Sequence, residues 1–255
     1  MEKIIYLIWG DGQRPQEPSF ENDIVADVGS AVGSVDVRGV SVHAAKQEIV
    51  SQWLQRTAPP PESLWAMVSV WVDDIIQRGS FEAELANLGA PRVDGYLVTE
   101  SVPRWRPGPA DGAKSAGVQL LSILHRPDGM THDAFVDHWI ESHLPLSLST
   151  HPQWTYVRNI ITRPLNDGAK PFDAVCEHGF EKPEHLTDPR YFYRAGNDAE
   201  KLAENVAIIR ADAAKFVDNE RSGLQTTVEH VLKSAFSPRA LPGLDYAGPV
   251  DMSGG

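Results

Sequence analysis

Apolar and polar positions along the chain alternate between two periods. Lys3–Trp9 is a continuous apolar, β-rich run that stops at Gly10-Asp11-Gly12. Phe20, Ile24, Val25, Val28 and Val32 recur at helical spacing. Val35–His43 and Leu64–Val72 read as Val-rich strands, Phe81–Leu88 as a helix stopped by Gly89, and Asp94–Val102 as a strand. Ala44–Pro61 ends in a proline run and reads as a loop. The first half is therefore β-α-β-β-α-β. Pro103–Gly117 is rich in Pro, Gly and Ala and reads as a linker. The series then starts again: a strand at Val118–His125, a helix from an N-cap at Thr131 to about Leu144, and strands at Trp154–Arg163 and Phe172–Phe180. An irregular stretch at His185–Asn197 precedes a long helix at Ala199–Phe216, and Leu224–Leu232 is the last strand.

Two copies of the split β-α-β pattern predict an α+β chain of two tandem ferredoxin-like halves. The expected divisions are 1–106, a linker at 107–117, a second half at 118–234, and an irregular tail at 235–255. Each half leaves one bare sheet face, and packing the two halves as an internal pseudo-dimer covers both.

Composition adds little to the fold but removes several functions. With 42% apolar residues among 255, the chain can build a core without staples. Cys176 is the single cysteine, so neither an intrachain disulfide nor a Cys-rich zinc site is expected. A net charge of -12 with scattered Lys and Arg argues against nucleic acid as a partner. No apolar run is long enough to span a bilayer and no signal segment is evident, so a cytoplasmic protein, a monomer or homodimer, is expected. There is no G-x-G-x-x-G, Walker A, G-x-S-x-G or H-E-x-x-H pattern, so no cofactor is expected.

Candidate chemistry concentrates in the second half. Phe135, Trp139 and His143 stand at i, i+4 and i+8, one stripe of one helix. Phe135 and Trp139 suit a core, and His143 falls where the stripe ends. There an imidazole either meets a ligand or bonds a backbone carbonyl. His125 and Arg126 stand at a strand end. His132 and His138 fall on other faces, as solvated surface. The spacings 132/138 and 138/143 are not those of a two-histidine metal site, so no metal is expected. Asp173 and Glu177 alternate onto the face opposite Cys176 and His178, toward solvent or a polar cavity. Tyr156 and Arg158 share a face, and Arg158 has the chemistry to hold a carboxylate or an enolate-like oxygen. In the first half, Trp9, Trp53, Trp65, Trp71 and His43 read as core.

The second half resembles the EthD family of dimeric α+β barrel proteins. The residues that carry the resemblance are Arg126-Pro127-Asp128-Gly129-Met130-Thr131, Phe135, Trp139, His143-Leu144-Pro145-Leu146, Tyr156-Val157-Arg158-Asn159, Phe172-Asp173-Ala174-Val175, Glu177 and Phe180, then Asp212, Phe216 and Glu229. The resemblance implies a ligand cavity between sheet and helices, small aromatic or otherwise hydrophobic substrates, and cofactor-free chemistry. Under it, His143 is the candidate acid/base; the strand pattern itself adds Asp173 and Glu177 as further catalytic candidates. His125, Arg126, Phe135, Trp139, Tyr156 and Arg158 are candidate substrate contacts. The expected activity is a lyase (dehydratase or decarboxylase) or isomerase. The alternatives are a cofactor-free oxygenase of phenols, a non-catalytic binding protein, and a haem protein of the same barrel type.

Overall fold

The structure, a computed structural model, describes residues 1–10, 19–33, 35–46 and 63–235. Trp53, most of the expected loop at 44–61 and the tail beyond residue 235 lie outside the described residues.

The first half runs β1 (Glu2–Trp9), α1 (Phe20–Gly33), β2 (Gly39–Ala45), β3 (Leu64–Val72), α2 (Arg78–Leu85) and β4 (Arg92–Arg104). A two-residue strand, β5 (Ala113–Lys114), precedes the second half. There follow β6 (Val118–Leu124), α3 (His132–His138), α4 (Leu144–Thr150), β7 (Gln153–Pro164) and β8 (Ala174–Phe180). The chain then forms α5 (Glu184–Thr187), α6 (Pro189–Phe192), α7 (Ala199–Ala213) and β9 (Gly223–Lys233). The stretch expected to be irregular thus contains two single-turn helices, the second capped by Asp188.

The strands lie in the order β2-β3-β1-β4-β7-β8-β6-β9, and β2 also pairs with β9. Eight antiparallel strands therefore close on themselves. Both seams, β4–β7 and β2–β9, join the first half to the second. Closure answers the bare-face problem differently from two stacked sheets: the halves meet edge to edge and share one interior. It also removes the unpaired edges that each half alone would present. β5 adds to the outer part of β9, through Gly112 N–H to Val231 O at 2.8 Å and Ser115 N–H to Glu229 O at 2.8 Å. The linker is in this way bound to the barrel rim. Where it enters β6, Gly117 has φ +80°, and a Cβ there would stand 2.0 Å from the Phe180 carbonyl oxygen. Gly117→Ala is expected to lower stability by about 2 kcal/mol or more, read as an earlier thermal transition.

Side chains alternate across the wall. Outward, Ile24, Val28, Phe81 and Leu85 of the helices bury Ile4, Val42 and Val68 of the first half. Inward, residues of both halves form one apolar plug: Ile5, Leu7, Trp9 and Met67 pack with Leu121, Ile123 and Val175. Above the plug the interior becomes polar. Lys3 Nζ donates to Glu100 Oε1 at 2.7 Å and Glu177 Oε1 at 3.0 Å, and Asn159 Nδ2 donates to Glu177 Oε1 at 2.7 Å. His43 Nε2 lies 3.3 Å from Glu177 Oε2. Burial opposes the charge on each group, but the partners outweigh it. Lys3 and His43 are held above their ordinary values, chiefly by Glu177, and Glu177 is held below its own by Lys3 and His43. This network ties β1 and β2 of the first half to β7 and β8 of the second.

Candidate active site

The outward face of the second half carries a different environment. Tyr156 of β7 and Cys176 and His178 of β8 point away from the barrel interior, toward the helices. α7 supplies Ile209 and Asp212 from its buried face. Phe135 and Trp139 pack on Phe216, with ring centroids 5.7 and 6.3 Å away.

Between α3 and α4 the helix widens into a π-helical turn over Trp139–His143, where Leu144 N–H donates to Trp139 O. Pro145 accounts for the widening. It has no N–H for the Glu141 carbonyl, and its ring would clash with that carbonyl in a regular helix. In a regular helix His138 and His143 would stand roughly 140° apart. The wider turn brings both onto the side that faces α7.

They converge there on one carboxylate. His143 Nδ1 is 2.8 Å from Asp212 Oδ2, His138 Nε2 is 3.0 Å from Asp212 Oδ1, and Ser142 Oγ donates to Asp212 Oδ1 at 2.8 Å. Burial alone would raise the Asp212 carboxyl, but these three partners hold it below its ordinary value. An ionised Asp212 accepts the His143 Nδ1 proton, which leaves the lone pair on Nε2. That nitrogen has no partner among the described residues and is not sealed off, and His143 lines a cavity of about 390 Å³. Burial lowers the His143 pKa by more than Asp212 raises it, so the ring is neutral at neutral pH.

The rest of the cavity is largely aromatic and apolar, with polar side chains at Ser122, Ser147 and Gln153 and one charged residue, Arg210, in its lining. Trp139, Tyr156, Phe192 and Phe216 form walls. Trp139 Nε1 donates to Tyr156 Oη at 2.8 Å, and burial keeps that phenol protonated. His178 Nδ1 accepts from Gln153 Nε2 at 2.9 Å, which leaves Nε2–H to donate to Ser122 Oγ at 3.1 Å. Burial pushes His178 down to about 3. Among the described residues no group of three or more His, Cys, Asp or Glu side chains is arranged to hold a metal ion.

Residues 127–220 match the EthD domain. This EthD segment contains Trp139, His143, Tyr156, His178, Asp212 and Phe216, while β6 and β9 outside it complete the sheet beneath them. No curated protein matches the chain. A solved anthrone oxidase-like protein is similar over 93% of this chain and 96% of its own, at 11% identity and a TM-score of 0.56. That likeness shows the fold, a barrel of the dimeric α+β type. A chlorite dismutase variant from Candidatus Nitrospira defluvii covers 89% of this chain and 91% of its own, at 9% identity and a TM-score of 0.41. A dye-decolorizing peroxidase from Bacteroides thetaiotaomicron VPI-5482 covers 89% and 92%, at 9% identity and a TM-score of 0.36. Neither of these two bears on function. No described helix is long and apolar enough to cross a membrane.

The structure divides the residues that the sequence groups together. His143, Trp139 and Tyr156 meet at the cavity. Phe135 is sealed in the core behind Trp139. Arg158 lies over the Trp139 ring at 5.7 Å, on the expected face of β7 but behind the cavity wall rather than in it. Glu177 points through the sheet into the barrel interior, where Lys3 and His43 neutralise it, so it does not share a space with His143. Asp173 forms an ion pair with Arg126 at the strand end and also accepts from the Arg126 backbone N–H at 2.8 Å. His125 packs on Phe172 at 4.9 Å, at the plugged end of the barrel. His132 is half exposed as expected, whereas His138 is bound to Asp212 and stacked on Phe216 at 5.1 Å. Asp212, which binds His143, His138 and Ser142, is the residue of this cluster that the sequence did not assign to the site.

Proposed function

We propose that the chain is a cofactor-independent enzyme in which His143 Nε2 removes a proton from a hydrophobic, aromatic small molecule. One observation carries the reading: an imidazole held by Asp212 through Nδ1, with its free Nε2 facing an aromatic cavity. Asp212 fixes the tautomer and stabilises the imidazolium that forms. The aromatic walls hold the substrate and exclude water. Protonated His143 then returns its proton to a leaving hydroxide or to another carbon, which makes the reaction a dehydration or an isomerisation. A decarboxylation uses the same imidazolium to protonate the carbanion. On this reading the two halves are diverged copies of one ferredoxin-like unit, and only the second retains a site.

A second reading follows from the same base. Deprotonation of an electron-rich phenol gives a phenolate that can pass electrons to dioxygen, as in a cofactor-free oxygenase, and the anthrone oxidase-like neighbour keeps this reading in view.

Native mass spectrometry with a panel of hydroxylated aromatic ketones and acids tests both. Loss of water or carbon dioxide from one compound, without added cofactor, supports the first. Oxygen uptake coupled to turnover supports the second. Binding of a compound that is recovered unchanged, with no deuterium taken up from D₂O, would contradict both and indicate a binding protein. Since the His143 pKa is lowered, turnover per active site is expected to rise with pH to a plateau, with its midpoint below 6.5. A pH–rate profile that falls through that range would require the protonated ring instead.

A further inference from the structure

The cavity holds a second imidazole whose acceptor nitrogen no described residue uses. His151 follows α4 and is nearly buried, stacked on Phe192 at 4.2 Å and Tyr193 at 5.3 Å. Its Nδ1 is 2.9 Å from the Phe192 carbonyl oxygen. A carbonyl only accepts, so the proton is on Nδ1 and Nε2 bears a lone pair. His151 lines the same cavity as His143, and its Nε2 has no partner among the described residues and is not sealed off. Burial pushes the ring down to about 4, so it stays an acceptor at neutral pH.

We infer that His151 is a specificity-determining residue that accepts a hydrogen bond from a second hydroxyl of the substrate, while His143 acts on the first. This rests on the proposed function. The walls around His151 offer no carboxylate to balance a cationic donor, so a neutral O–H is the group that fits. An acceptor left empty inside an aromatic box selects against an analogue without that hydroxyl. Ser122 adds to the same selection. Its hydroxyl accepts from His178, which leaves its own proton free to be donated to a substrate oxygen.

The test compares 1,3-dihydroxynaphthalene with 1-naphthol by calorimetry, on the full chain and on His151→Asn. Asparagine keeps a donor near the position of Nδ1, for the Phe192 carbonyl, and removes the acceptor at Nε2. The full chain is expected to bind the diol at least about tenfold more tightly than the mono-ol. In His151→Asn the ratio is expected to collapse toward one, with the affinity for 1-naphthol unchanged. A preference that survives in His151→Asn overturns the inference, as does the absence of any preference in the unaltered chain, and both leave the cavity's proposed use intact. Failure of both phenols to bind the unaltered chain overturns the inference and the proposed function together.

Discussion

Replacing His143 by Ala is expected to lower turnover by about 10²–10⁴-fold while the protein folds normally. The side chain is not part of the barrel interior, and removing it takes no support from the apolar plug. Asp212→Asn is the sharper variant. It keeps the shape of the site but can present an amide N–H to Nδ1, which stabilises the tautomer with the proton on Nε2. The base would then face the cavity already protonated. A loss of the same order as for His143→Ala is expected, and it should appear in kcat more than in KM. A triple set of His143→Ala, Asp212→Asn and the double variant checks the pairing. If the two groups act as a unit, the double variant is no worse than the worse single one. Multiplicative losses would mean that Asp212 acts elsewhere, for instance through His138 or Ser142.

The second large effect concerns stability. Glu177→Leu would leave Lys3 and His43 facing a buried space without the carboxylate between them. About 3–5 kcal/mol of destabilisation is expected, read as a lower denaturation midpoint. The pH dependence follows from the same group. The Glu177 pKa is lowered by folding, so its contribution is complete above the ordinary carboxylate value of 4.5 and is lost as pH falls through the depressed one. The His43 pKa is raised by folding, so its contribution is complete below 6.5 and is lost as pH rises through the elevated value. Together they place the network's greatest contribution between 4.5 and 6.5, so Glu177→Leu should lose most stability inside that window and flatten the falls on either side of it. A variant with unchanged stability across that window would show that the network carries no net weight. Because the network joins β1 and β2 to β7 and β8, the same variant reports how strongly the halves hold each other.

The strands and helices were largely legible in the chain because their signals are local and repeated. Leu64–Val72 is a strand over the very residues that its Val-rich apolar run marks, and the Thr131 N-cap accepts from Ala134 N–H as its position predicts. What periodicity does not carry is how two sheets meet. The pairing of Ser41 with Val231 and of Val98 with Ile161 closes the barrel, and neither half contains a local signal for a partner so far along the chain.

The site was legible only in part, for two physical reasons. Strand alternation separates Glu177 from Cys176 correctly, yet it does not say that the face bearing Glu177 turns into the barrel interior and the other face becomes the wall of the cavity that holds His143. A regular helical period also misplaces His138, because Pro145 forces the turn at Trp139–His143 to widen. A proline shortly after a histidine inside a helical pattern was the available signal. For Asp212 the signal was its place on the stripe Ile209, Asp212, Phe216, where an apolar residue is otherwise expected and an acid needs a partner.

The proposed chemistry requires His143 to be a neutral imidazole protonated on Nδ1, with Nε2 open to the cavity. Long-range ¹H–¹⁵N correlation NMR on histidine-labelled protein, followed from pH 4 to pH 8 and assigned with His143→Ala, measures tautomer and pKa directly. The Nδ1–H form and a titration midpoint below 6.5 are expected. An Nε2–H form, or a ring that remains protonated at neutral pH, would contradict it, because His143 would then have no lone pair to offer a substrate.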